Sequence, residues 1–105
     1  MTRRILPNRR RSETFELEHG KQATTYRVTV GFAPDEAQPS EIFITGAKTG
    51  SDFEAVARDG AIILSIMLQH GIALEPIRHS LTRDENGNAG SIIGAVVDHL
   101  TSAAG

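Results

Sequence analysis

Residues 41–71 read EIFITGAKTGSDFEAVARDGAIILSIMLQHG. Ile42 and Ile44 alternate with Phe43 and Thr45, which is the period of a strand. With apolar residues on both faces, this strand is expected to be buried on both sides. Gly46 ends it. A turn over 46–50 leads to Ser51, an N-cap residue with Glu54 three positions on, the pattern of a capping box. Asp52 and Glu54 fall in the first turn, where the helix dipole favours negative charge. Gly71 fits the C′ position that closes a helix. The stretch therefore predicts a strand, a glycine-bounded turn and a helix over 51–70. Residues 61–68, AIILSIML, are apolar nearly all round, so this half is expected to be covered on most sides. Eight residues are too few to cross a membrane. Gly60 lies in the helix interior, at a cost of about 1 kcal/mol against alanine. The expected reason is close approach of another backbone.

Upstream, 12–18 alternates, with Phe15 and Leu17 one way and Thr14, Glu16 and Glu18 the other. Residues 25–32 alternate more cleanly, with Tyr26, Val28, Val30 and Phe32 on one face. His19, Gly20, Lys21 and Gln22 connect the two as a hairpin. A polar loop with Pro34 and Pro39 leads into the third strand. Three strands joined by short loops predict an antiparallel meander with the long helix as its cover. Downstream, Pro76 suits the first turn of a short helix near 76–81. Residues 82–90 form a polar loop containing Asn86-Gly87. A last helix from Ser91 places Ile92, Ile93, Val96, Val97 and Leu100 on one stripe. The fold class is thus α+β: a three-stranded antiparallel meander on a long helix, with a short helix and a C-terminal helix.

The length of 105 residues corresponds to one domain. We divide it into a basic arm, 1–12, and a body, 13–105. Arg3, Arg4, Arg9, Arg10 and Arg11 are five of the eleven basic residues, and the arm holds no acid. The body carries six basic and thirteen acidic residues, a balance of −7. A basic arm on an acidic body suggests contact with phosphate or with another copy. Binding of a polyanion by the arm is expected to weaken steeply with salt. No apolar signal region opens the sequence, so the expected compartment is the cytoplasm.

Cysteine is absent, which excludes disulfides, thiolate metal sites and thiol nucleophiles. His19, His70, His79 and His99 form no helical metal motif. No metal, cofactor or catalytic residue is expected. Ser65 and Ser80 lack the Gly-x-Ser-x-Gly setting of a nucleophile elbow. The turn from Gly46 to Ser51 is where an anion fits, because amides point outward at a helix N-terminus. It is not a P-loop, since Lys48 precedes Gly50 instead of following it. The ligand-binding candidates are Arg9, Arg10, Arg11, Lys48, Gly50, Ser51, His70 and Arg83. One function class is then a nucleotide- or nucleic-acid-binding protein using the arginine arm and this turn. Another is a small hydrolase using His70 or His79. The apolar helix face predicts self-association as a homodimer.

Several of these residues carry a resemblance. Glu41 to Ile44, the Gly46-x-Lys48-x-Gly50-Ser51 turn, Ile63-Leu64-Ser65 and the Leu68-Gln69-His70-Gly71 exit resemble the TSCPD domain. So do Tyr26 to Val30, the opening Leu6-Pro7-Asn8-Arg9-Arg10 and the closing Ser91-Ile92-Ile93-Gly94, which are similar to its stand-alone form. The resemblance spans about 5–100. It implies kinship with the C-terminal module of adenosylcobalamin-dependent ribonucleotide reductases, and so an accessory or binding role in ribonucleotide reduction or nucleotide metabolism. A reductase subunit or a nucleotide is the implied partner. Reductase-linked forms carry cysteines, for metal binding or thiol exchange; this chain has none. It also lacks the barrel, radical cysteines and cobalamin site of the full enzyme, so the resemblance does not imply reductase activity in this chain alone.

Overall fold

The computed structural model describes residues 11–46 and 51–104. Three strands, β1 (Ser12–His19), β2 (Thr24–Phe32) and β3 (Pro39–Thr45), form one antiparallel sheet in the order β1-β2-β3. Three helices follow: α1 (Asp52–Gln69), α2 (Leu74–Ser80) and α3 (Ile92–Ala104). The α+β meander read from alternation is therefore present. Among the described residues no helix is long and apolar enough to cross a membrane.

The alternation sorts the two faces of the sheet. Val28 and Val30 are fully buried, and Ile42 and Ile44 nearly so, beneath α1 and α3. Thr14, Glu16, Glu41 and Phe43 lie on the other face, where Thr14 and Thr29 share a hydroxyl hydrogen bond of 3.1 Å. That face is open. Phe43 is 55% exposed, so β3 is buried on one side and not on both. The alternation of β3 is right, but among the described residues none covers its second apolar position.

The caps of α1 follow the sequence. The hydroxyl of Ser51 accepts from the amide of Glu54 at 3.2 Å. At the other end the amide of Gly71 donates to Leu68 and that of Ile72 to Met67, with Gly71 at φ +86°. This pair of bonds is the Schellman arrangement. The side chain of Gln38 then clasps the next turn, donating to the carbonyl of Ile72 and accepting from the amide of Leu74. That second bond serves the first turn of α2, whose N-cap, Ala73, has no polar side-chain group to offer.

On α1, Ala57, Ala61, Leu64 and Leu68 recur at helical spacing and face the core. The opposite face is not covered: Phe53, Val56, Ile62 and Ile63 are 76%, 66%, 51% and 60% exposed. The expectation of cover on most sides fails within one chain. Gly60 also has a different reason from the one expected. A Cβ there would lie 2.6 Å from the side chain of Ile93 on α3, so the close neighbour is a side chain and not a backbone.

Ser65 makes the main polar link between helix and sheet. It is buried among apolar side chains. Its hydroxyl accepts from the amide of Ile42 at 2.8 Å and stands 3.1 Å from the carbonyl of Ile42 and 2.8 Å from that of Ala61, either of which can take its single proton. One turn on, the side chain of Gln69 donates to the carbonyl of Ser40 at 3.0 Å. The helix thus occupies hydrogen-bonding positions on the outer edge of β3. In Ser65→Ala the buried amide of Ile42 loses its partner, a loss of about 1–3 kcal/mol. Urea unfolding of the two proteins checks this value.

Candidate functional site

A cleft of about 900 Å³ opens between the β1–β2 hairpin, the loop 82–90 and α3. Glu18, His19 and Lys21 come from the hairpin, Asp84 and Asn88 from the loop, and Asp98 and His99 from α3. The loop is held in shape by its own polar groups. Asp84 Oδ1 accepts from the amides of Asn86 and Asn88, and Gly87 supplies φ +83° at the tip. An isolated bridge between Arg83 and Ala89 closes its base. His99 stacks on Phe15 of β1, ring centroids 4.2 Å apart, which ties α3 to the sheet at the cleft wall.

Arg83 sits behind this wall. It donates through both terminal nitrogens to the carboxylate of Asp98, each at 2.7 Å, and also to the carbonyls of Gly87 and Arg78. Arg78 Nε lies 3.6 Å from the same carboxylate. The forked Arg83–Asp98 pair is the geometry in which an arginine binds a carboxylate most strongly. Its guanidinium is thus engaged by an acid within the chain. The hydrogen bond from Arg83 holds the Asp98 carboxyl below its ordinary range, against a smaller opposing effect of burial. A carboxyl lowered in the folded state stabilises above its unfolded value and loses that contribution as the pH falls through its folded value. The pair is therefore intact at neutral pH, and its contribution fades as the pH falls from the ordinary carboxyl range through the lowered folded value. Asp98→Asn is expected to lower stability at pH 7, and its difference from the parent is expected to shrink as the pH is lowered through the acid range, as measured by urea midpoints across that range.

The other expected site residues are scattered. Arg9, Arg10, Lys48 and Gly50 lie outside the described residues. Arg11 lies over the ring of Phe32, 4.1 Å from its centroid, and its carbonyl accepts from the amide of Phe32, extending the ladder one step beyond β1. Ser51 is spent as the N-cap of α1, and His70 is the C-cap residue of the same helix, at its other end. His79 Nε2 lies 3.4 Å from a carboxylate oxygen of Glu75 on α2. Among the described residues no group of three His, Cys, Asp or Glu side chains is placed to hold a metal ion. Nor do the histidines and Ser65 or Ser80 assemble a nucleophile with a base: Ser80 bonds to the carbonyl of Pro76 and Ser65 to the backbone of α1 and β3.

The second surface is the outer face of α1. Phe53, Val56 and Ile63 run at i, i+3 and i+10 along it, with Ile62 beside them. Large apolar side chains grouped in this way mark contact surfaces in soluble proteins more often than isolated ones do. Sequence reading puts Ile62 and Ile63 on an apolar helix face that calls for a partner, and singles out neither Phe53 nor Val56, because periodicity alone does not say which neighbour is missing.

Comparison with curated proteins gives no match, and comparison with solved structures gives none. The family model described as the TSCPD domain matches residues 1–104, and the chain accordingly belongs to the TSCPD domain family.

Proposed function

We propose that this chain is a stand-alone accessory module of ribonucleotide reduction or nucleotide metabolism, acting in the cytoplasm as a homodimer and binding a reductase subunit. The observation that carries the reading is the exposed apolar face of α1 on a chain matched over 1–104 by one domain family. A self-sufficient reductase needs thiols, and this sequence has no cysteine. What the fold offers instead is surface. Burying a valine, isoleucine or phenylalanine side chain contributes about 1.5–3 kcal/mol, so four such residues give a strong incentive to associate. A two-fold pair places the same face of α1 against its mate.

The expected result is a mass of twice 11.3 kDa by light scattering at micromolar concentration. Ile63→Asp, at an exposed position, is expected to halve that mass with the circular dichroism spectrum retained. A parent protein that stays at the monomer mass on concentration overturns the dimer. The link to reduction is tested separately, by passing the pure chain over the immobilised ribonucleotide reductase of its own host. Stoichiometric retention supports the role, and passage without retention removes it.

A further inference from the structure

The sheet has two edges, and they are treated differently. On β3, Ser65 and Gln69 of α1 take up backbone groups of Ile42 and Ser40. On β1 no helix plays this part. The register shows which groups are left over. Ile42 turns its amide and carbonyl outward to Ser65, so Val30, its direct partner, turns its own toward β1. Glu13 pairs with Val30, and Phe15 with Val28, so the odd residues of β1 bond to β2. The amide of Phe32 donating to the carbonyl of Arg11 continues that pattern. The even residues, Ser12, Thr14, Glu16 and Glu18, therefore direct their amides and carbonyls away from the sheet. Among the described residues none bonds to these groups.

We propose that the outer edge of β1 is a docking strand, and that its occupant is an extended segment of another protein, with lysine or arginine alternating with apolar residues, added as a fourth antiparallel strand. The ladder supplies the affinity and the side chains the choice of partner. β1 pairs with β2 over eight residues without a bulge, so its edge is regular along about 26 Å. It contains no proline and no lysine, two of the usual guards of an edge strand. Its charges are acids of one sign. Glu16 and Glu18 project from the open face, and a cross-strand residue on that face sits about 5 Å away, where a cation is favoured and an acid is opposed. On the other face Phe15 and Leu17 are half-buried at the rim of the core. A strand laid there sets its alternate residues against them, and apolar side chains extend the core by one row. The same acids disfavour a second copy of β1, since a two-fold pairing brings Glu16 of one chain beside or diagonal to Glu16 of the other.

The test is amide hydrogen exchange by NMR on the full chain, alone and with a short peptide alternating lysine and valine. Exchange at Ser12, Thr14, Glu16 and Glu18 is expected to slow by about tenfold or more with this peptide, while Phe15 and Leu17, already in the ladder, change little. A peptide alternating glutamate and valine is expected to have no such effect. In the variant Glu16→Lys with Glu18→Lys, both exposed, the preference between the two peptides is expected to reverse. No slowing with the lysine peptide overturns the proposal. So does protection of these four amides in the chain alone, whether independent of concentration, which means that the chain's own residues fill the edge, or rising with it, which means that a second copy does. Because the readout lies on β1, it is independent of the dimer test on α1.

Discussion

Leu68→Ala is expected to lower the free energy of unfolding by about 2–5 kcal/mol, a large part of the roughly 5–15 kcal/mol that holds a domain of this size together. Leu68 is 1% exposed and belongs to the cluster that joins α1 to the sheet, with Val28, Val30, Ile42 and Leu64. Truncation removes three carbons and leaves a space walled by β3 on one side. Strand and helix are fixed to each other by the bonds of Ser65 and Gln69, so the wall has little freedom to collapse into it. That places the expected cost toward the upper part of the range. Urea unfolding at neutral pH measures it. The contrasting change Ile63→Ala, on the exposed face of the same helix, is expected to leave the unfolding of the monomer nearly unaltered.

Gly46→Ala is expected to be nearly as damaging for a different reason. Gly46 follows β3 at φ +115°, a region closed to side-chain-bearing residues at a cost of about 1–3 kcal/mol. A Cβ built there lies 2.8 Å from the carbonyl oxygen of Thr25 and 3.1 Å from the Cα of Tyr26. Both are backbone atoms of a paired strand, so neither swings aside as a side chain would. Conformational and steric costs therefore add. Gly20→Ala is the matching control. Its φ is +89°, but no atom lies within 4 Å of the added carbon, so only the conformational cost remains. Comparing the urea midpoints of the two variants separates the two effects, and equal losses would refute the steric part.

The strands and α1 were legible because each is written in a period. Tyr26, Val28 and Val30 fall two apart and are buried, and Ala57, Ala61, Leu64 and Leu68 fall at helical spacing and are buried. The caps were legible because Ser51 and Gly71 do local chemistry with residues three to five away. What sequence did not disclose is non-local. Neither the lack of a nucleophile-elbow setting nor the Ile63-Leu64-Ser65 pattern discloses that the partner of Ser65 is an amide 23 residues earlier. The pairing of Arg83 with Asp98 spans 15 residues and has no periodic signal. The need of Ile62 and Ile63 for a partner was legible from the apolar half of α1, whereas the exposure of Phe53 and Val56 in its amphipathic half was not, because apolarity reports a preference for burial and not the presence of something to be buried against. The cleft beside α3 escaped for a related reason, since its walls come from a hairpin, a loop and a helix that meet only in the folded chain.

The two polar bonds of α1 have a consequence for uniqueness rather than for strength. A rod that is greasy on nearly every side can roll or slide on a greasy sheet with little change in energy. Leucine and isoleucine do not distinguish one setting sharply from the next. A hydroxyl and an amide that meet their backbone partners in one orientation only do distinguish them, because every other orientation leaves buried polar atoms unmatched. Ser65 and Gln69 thereby act as two pins that stop the rotation and the translation of α1. By fixing which side of the helix looks inward, they also fix which side looks outward. The position of Phe53, Val56 and Ile63 on the surface of the molecule is in that sense set from within, by a serine and a glutamine on the buried side of the helix.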